Sequence, residues 1–138
     1  MELALSDPSR YLAGAILLTI VGIEVGGWFM TRIVRGKVAM TPFQKSFARA
    51  GHAHAGVLVT LSLITLVLAD AAALDGALGW IARTGPPAAA ALMSAGFFFS
   101  SMGRGEITRP NRLITLVWLG ALALAAGVVT LGLGLLTA

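Results

Sequence analysis

Residues 41–69 read TPFQKSFARAGHAHAGVLVTLSLITLVLA, and this stretch decides how the chain folds. Thr41, Pro42 and Gln44 form a helix-start pattern: an N-cap, a proline at the first helical position and a capping-box glutamine three residues after the cap. A basic segment, the two histidines of the chain and a long apolar run follow. The pattern predicts one helix that begins at a membrane interface and continues into the bilayer.

The composition of the 138-residue chain is typical of an integral membrane protein. Hydrophobic residues make up 57% of the chain and charged residues 12%, whereas soluble domains carry about 25% charged residues. The absence of cysteine excludes disulfides, thiolate metal sites and cysteine nucleophiles. A net charge of +4 would suit nucleic-acid binding, but the basic residues lie mainly in two loops between apolar segments. We therefore do not expect nucleic acid as a partner.

Four apolar segments predict four membrane spans within a single domain, residues 1–138. A span needs roughly 20 apolar residues to cross the hydrocarbon layer. The predicted spans cover about residues 11–31, 50–69, 86–102 and 111–136. The fold class is accordingly an all-α, four-transmembrane-helix bundle.

The predicted third span begins at Gly85-Pro86-Pro87, because proline is tolerated in the first turn of a helix. Asp70 and Asp75 then fall in the second loop, where we expect both carboxylates to be solvated. Lysine and arginine number one before the first span, five in the first loop, one in the second and three in the third. The positive-inside rule places the first and third loops in the cytoplasm and both termini outside. The expected location is a bacterial-type plasma membrane.

Glu24 is the most informative charged residue, because it lies inside the first predicted span. A carboxylate at that depth costs about 3 kcal/mol on insertion scales, so we expect it to face protein and to have a partner. The antiparallel hairpin of the first two spans brings Glu24 and His54 to similar depths. His54 also continues the helical stripe of Phe43 and Phe47, so we expect it to face inward and to pair with Glu24.

His52 and His54 are two residues apart and point to nearly opposite sides of a helix. They cannot readily hold one metal ion, so we expect His52 to face another helix, another subunit or the interface. Because both histidines lie on one helix, one chain cannot supply two histidines to a haem. A haem bound by histidine and methionine stays open, with Met30 or Met102 at a suitable depth, and a two-fold oligomer could supply a second histidine.

Three interpretations of Glu24, His52 and His54 stay open. The group forms a hydrogen bond that fixes the hairpin, binds a metal ion or haem, or relays protons or ions. Three further polar residues end the third span on the same side, either as a polar vestibule or as ordinary interfacial residues. They are Ser100, Ser101 and Arg104.

The first hairpin resembles a group of small, uncharacterised four-helix bacterial membrane proteins. Their first span is followed by a basic loop of about twenty residues and by His-x-His at the opening of the second span, here residues 32–49 and His52-Ala53-His54. The same short segment is similar to the histidine-bearing helix of haem-copper oxidases and nitric oxide reductases, where two such histidines serve two centres. Those enzymes also need histidines on other helices, which this chain lacks. The resemblance thus implies at most a reduced relative or a cofactor-binding accessory unit.

These patterns together predict a non-catalytic membrane protein that binds haem or a divalent metal near its cytoplasmic face, as an accessory component of a respiratory or redox assembly. The alternatives are a small proton-coupled transporter or channel, or a ligand-free scaffold or assembly subunit. Expected partners are the lipid bilayer and either a second copy or other subunits of a membrane complex. Small residues of the fourth span would suit close helix packing or such an oligomer contact. They are Gly120, Ala121, Ala125, Gly127, Gly132 and Gly134.

Overall fold

The computed structural model describes residues 5–138 as four α-helices joined by short loops. The helices are α1 (Asp7–Val34), α2 (Pro42–Ala71), α3 (Gly76–Ser100) and α4 (Thr115–Thr137), and a 3-10 turn at Arg112–Ile114 leads into α4. Three helical segments of the described chain are long and apolar enough to cross a membrane. They are Asp7–Val34, Pro42–Ala71 and Arg112–Thr137. The all-helical, membrane-type architecture expected from the sequence is therefore confirmed.

The helices pack in chain order, α1 on α2, α2 on α3 and α3 on α4, and the described parts of α1 and α4 do not touch. The main apolar core lies between α1, α2 and α3, around Ile16, Leu58, Leu66 and Ala89. Only three residues of α1 are buried, Ser9, Ile16 and Ile33. Most of the surface of α1 is therefore left without a protein neighbour.

α3 and α4 pack closely against each other, and glycines make the close approach possible. A Cβ atom added at Gly85 would lie 2.6 Å from the carbonyl oxygen of Ala123, and one added at Gly127 would lie 2.7 Å from Cδ of Pro86. Small residues at such points let two helix backbones approach closely. Gly120 and Gly127 thus serve packing inside the chain, whereas Gly132 has nothing within 4 Å of an added Cβ.

The third helix begins ten residues earlier than the proline pattern predicts, at Gly76 and not at Pro86. Pro86 and Pro87 lie inside α3, and the chain remains helical through them. An internal proline removes a backbone hydrogen bond, and here Pro86 packs against Gly127 of α4. The additional N-terminal turns of α3 bring Arg83 into the bundle, where it is buried.

Arg83 forms a buried ion pair with Asp70 at the end of the bundle where α2 meets α3. Nη2 of Arg83 lies 2.7 Å from Oδ1 of Asp70, and their side chains are 8% and 14% exposed. The backbone N–H and hydroxyl of Ser6 and the hydroxyl of Ser9 also donate to Asp70, and Nη1 of Arg83 donates to the carbonyl oxygen of Leu74. The expectation that Asp70 is solvated is therefore wrong, whereas Asp75 is exposed as expected.

We predict that Arg83→Met lowers the free energy of unfolding by about 3–5 kcal/mol, because Asp70 would stay buried without its cation. The matched control is Arg10→Met, which breaks the exposed Arg10–Asp7 pair and should cost less than about 1 kcal/mol. Thermal unfolding of both variants in one detergent, followed by circular dichroism, measures the difference. Equal losses in the two variants would contradict a structural role for the buried pair.

Candidate functional site

The start of α2 is fixed by the capping box that the sequence predicts. The Thr41 hydroxyl accepts from the backbone N–H of Gln44, and the Gln44 side chain accepts from the backbone N–H of Thr41. Nε2 of Gln44 also donates to the carbonyl oxygens of Ser101 and Gly103, and the Thr41 hydroxyl donates to that of Ile107. The first turn of α2 is therefore tied to the loop after α3, which fixes the rotation of the histidine-bearing helix.

His54 faces α3 and lies against an aromatic cluster. Its ring centroid is 4.9 Å from that of Phe97, which contacts Phe47 edge-on at 5.5 Å, and Phe47 lies 4.3 Å from Phe43. The helical stripe of Phe43, Phe47 and His54 thus faces protein as predicted, but the helix it meets is α3 and not α1.

One hydrogen bond determines the protonation pattern of neutral His54. Its Nδ1 lies 2.7 Å from the carbonyl oxygen of Ala50 one turn earlier. Because a carbonyl oxygen only accepts, Nδ1 must carry the proton. The neutral ring therefore keeps its lone pair on Nε2, the arrangement that metal-binding histidines use when a backbone carbonyl orients them.

His54 lines an apolar crevice of about 320 Å³ between α2, α3 and α4. Met93 of α3 and Leu124 of α4 form its other sides, together with Val57 and Leu58 of α2. Met93 is itself held close to α4, because Gly120 has no side chain where the Met93 Cγ lies. A thioether and an imidazole thus share one crevice. Met93 was not singled out from the sequence, although its spacing of one turn before Phe97 places it on the helix face that meets His54.

His52 lies on the opposite side of α2 and faces α1. Cβ atoms added at Gly26 and Gly27 would lie 3.4 Å and 3.5 Å from atoms of the His52 ring. Both distances are ordinary van der Waals contact, so the His52 ring packs directly beside this glycine pair of α1. The separate environments of His52 and His54 agree with the prediction from their spacing.

Glu24 does not pair with His54. The carboxylate lies on the exposed side of α1, and it makes no side-chain hydrogen bond or ion pair within residues 5–138. The prediction of a Glu24–His54 pair fails for a geometric reason: of the two histidines, His52 is the one that points at α1, and α1 presents Gly26 and Gly27 to it. Glu24 and His54 lie at similar levels along their helices, as predicted. The rotation of α1 and α2 about their axes, however, turns the two side chains away from each other.

The other predicted site residues lie apart from His54. Met102 is 64% exposed and lines two grooves beside the loop after α3. Met30 lies half-buried on α1. Ser100 and Ser101 are buried, and their hydroxyls donate to carbonyl oxygens of their own helix. Arg104 is exposed and shares a groove with Ser101.

Within residues 5–138, no three His, Asp or Glu side chains come together in a way that could hold a metal ion. A bound metal would therefore need the Met93 thioether, a prosthetic group or a ligand from another chain. The chain matches no protein-family model, no characterised protein and no solved structure.

We predict that Gly51→Ala is less stable than Gly56→Ala by about 1–3 kcal/mol, the usual cost of overfilling a packed site. An added Cβ at Gly51 would lie 2.9 Å from the ring of Phe98, whereas nothing lies within 4 Å of one at Gly56. Both substitutions gain the same helix propensity, so their difference isolates packing against the aromatic cluster. Thermal unfolding in detergent measures it, and equal stabilities would show that α3 does not pack on Gly51.

Proposed function

We propose that the protein is a non-catalytic, four-span membrane subunit that binds haem or a divalent metal through Nε2 of His54, as an accessory component of a redox or respiratory assembly. Met93 of the same chain is the second ligand. The membrane is a bacterial-type plasma membrane, with the first and third loops in the cytoplasm and both termini outside. A second copy of the chain packs on α1.

The hydrogen bond from Nδ1 of His54 to Ala50 supports the ligand role most directly. It leaves the lone pair of Nε2 free to bind a metal ion, and it holds the ring in one orientation. Outer hydrogen bonds of this kind orient metal-binding imidazoles and raise their basicity. His52 has no corresponding bond among the described hydrogen bonds, so His54 is the better candidate of the two.

The lining of the crevice favours haem over a hydrated ion. Apart from His54 and Met93, the lining residues are aliphatic: Ala53, Val57, Leu58 and Leu124. A flat, largely apolar macrocycle suits such walls, and imidazole with thioether is an established axial pair for haem iron. A relay of protons through Glu24 has less support, because Glu24 bonds to neither histidine.

We expect the purified wild type to show a haem absorption band, or stoichiometric metal, that His54→Ala abolishes and His52→Ala keeps. Met93→Leu should shift the spectrum through loss of the thioether while the cofactor stays bound through His54. Absorption spectroscopy and metal analysis of the four proteins give the answer. Circular dichroism must show equal helix content, so that loss of cofactor is not loss of fold.

A wild type without a haem band and without metal would refute the cofactor proposal. The same would follow if His52→Ala and His54→Ala lost the cofactor equally, because the two histidines lie on opposite sides of α2.

The length of α3 and the pairing of charges support the proposal that α3 also spans the membrane and support the proposed orientation. α3 has 25 residues, or about 37 Å at 1.5 Å per residue, which is enough to cross a bilayer. Arg83, its one basic residue, is neutralised by Asp70, and Arg10 pairs with Asp7 near the start of α1. The remaining basic residues of the chain lie at the end where the first and third loops meet. That end is the cytoplasmic one under the positive-inside rule.

The exposed side of α1 supports the proposal that a second copy of the chain packs there. Glu24 there is a carboxylate without a partner among residues 5–138, which is costly against lipid. Leu17, Val21 and Trp28 lie on the same face of α1 as Glu24 and are all more than half exposed, so a second helix could cover this face.

Because the chain has no cysteine, single-cysteine variants test topology and assembly without background. An impermeant maleimide should label Asp75→Cys in intact cells, and should label Glu106→Cys only after the membrane is opened. Val21→Cys, on the same face of α1 as Glu24, should form a disulfide-linked dimer, whereas the control Leu122→Cys, exposed on α4, should not. Labelling of both loops from one side would rule out four spans, and cross-linking at neither position would rule out the α1 contact.

A further inference from the structure

A second cavity, of about 210 Å³, lies between α1, α2 and α3 on the other side of α2 from His54. Its walls are largely aliphatic and include Ile16, Ile23, Val59 and Ala90. An apolar cavity of about 150 Å³ in a well-packed core is large enough to bind benzene. This one is therefore large enough for a small ring compound.

Three hydroxyls line this cavity, and one of them has no partner. Ser62 donates to the carbonyl oxygen of Leu58 and Thr19 to that of Ile16, both at 2.6 Å. The buried Oγ of Ser94 has no hydrogen-bond partner in the part of the chain that the structure describes. A buried hydroxyl without a partner destabilises the fold, so native proteins rarely keep one without a reason.

The cavity opens toward the bilayer between α1 and α3. Thr19 of α1 and Ala91 of α3 line it, and both are exposed. Thr19 is about 18 Å along the helix from Asp7 and about 22 Å from Val34, at 1.5 Å per residue. The opening is therefore in the middle of the proposed membrane layer, where a ligand would enter from lipid and not from water.

We infer that this cavity is a binding site for a ring-sized lipophilic compound that carries one carbonyl group, with the Ser94 hydroxyl donating to that carbonyl. One ordered water could bond to Ser94, because the hydroxyls of Thr19 and Ser62 can still accept, but it would fill only about 30 Å³ of this largely apolar space. A lipid acyl chain would fill the space but would leave Ser94 unpaired. A carbonyl-bearing ring satisfies both the apolar walls and the hydroxyl.

Two probes of nearly equal size separate these occupants: 4-fluoroacetophenone, which has a carbonyl, and 1-ethyl-4-fluorobenzene, which does not. Fluorine NMR titration of the wild type in lipid nanodiscs, corrected with empty nanodiscs, should show about 3- to 10-fold tighter binding of the carbonyl compound, the equivalent of one hydrogen bond. Ser94→Ala should remove this preference and keep the weaker apolar binding. Without a probe, Ser94→Ala should also raise the melting temperature.

Filling the cavity is the second arm of the experiment. Ala55→Leu places a larger side chain in the wall and should abolish binding of both probes, whereas Ala126→Leu, exposed on α4, which does not line the cavity, should leave binding unchanged. If Ala55→Leu does not fold, the comparison of wild type with Ser94→Ala still decides the question.

Equal affinity for the two probes in the wild type would overturn the inference, as would no binding of either probe or a carbonyl preference that survives Ser94→Ala. The readout does not involve His54 or its cofactor. The inference and the proposed haem or metal site can therefore fail separately.

Discussion

The ion pair between Asp70 and Arg83 is the constraint on which the arrangement of the first three helices depends. Asp70 ends α2, Arg83 lies two turns into α3, and Ser6 and Ser9 bring the start of α1 to the same carboxylate. In a low-dielectric environment neither charge is tolerated alone, so each helix end holds the others in register. At the opposite end Gln44 serves the same purpose with neutral groups, through bonds to the loop after α3. Polar contacts therefore hold the helices together at both ends of the bundle, and small residues allow close packing between those ends.

Much of this fold could be predicted from the sequence, because its signals are local. The capping box at Thr41 and the apolar period of α2 involve neighbouring residues only, and both are confirmed. The start of α3 could not be predicted in the same way. Pro86 normally marks a helix start, and its tolerance inside α3 depends on packing against Gly127, more than forty residues away. The expectation that Asp70 is solvated failed for the same reason. Its partner Arg83 lies in the first turns of α3, which the proline rule assigned to a loop.

For the candidate site, residue spacing alone predicts part of the arrangement of the two histidines. The separation of His52 from His54 by two residues predicts two environments, and the structure has them on opposite sides of α2. The choice of which histidine faces α1 needs the rotation of α2, and that is set by bonds from Thr41 and Gln44 to a loop about sixty residues later. Met93 was missed because a methionine in an apolar run carries no signal of its own until its neighbours are known.

Arg83 also makes α3 dependent on α2. A charged side chain that is buried without a partner is strongly destabilising. Asp70 supplies the partner of Arg83, and only four residues, 72–75, separate α2 from α3. The two helices therefore form one electrostatic unit, in which the loss of either charge leaves the other uncompensated.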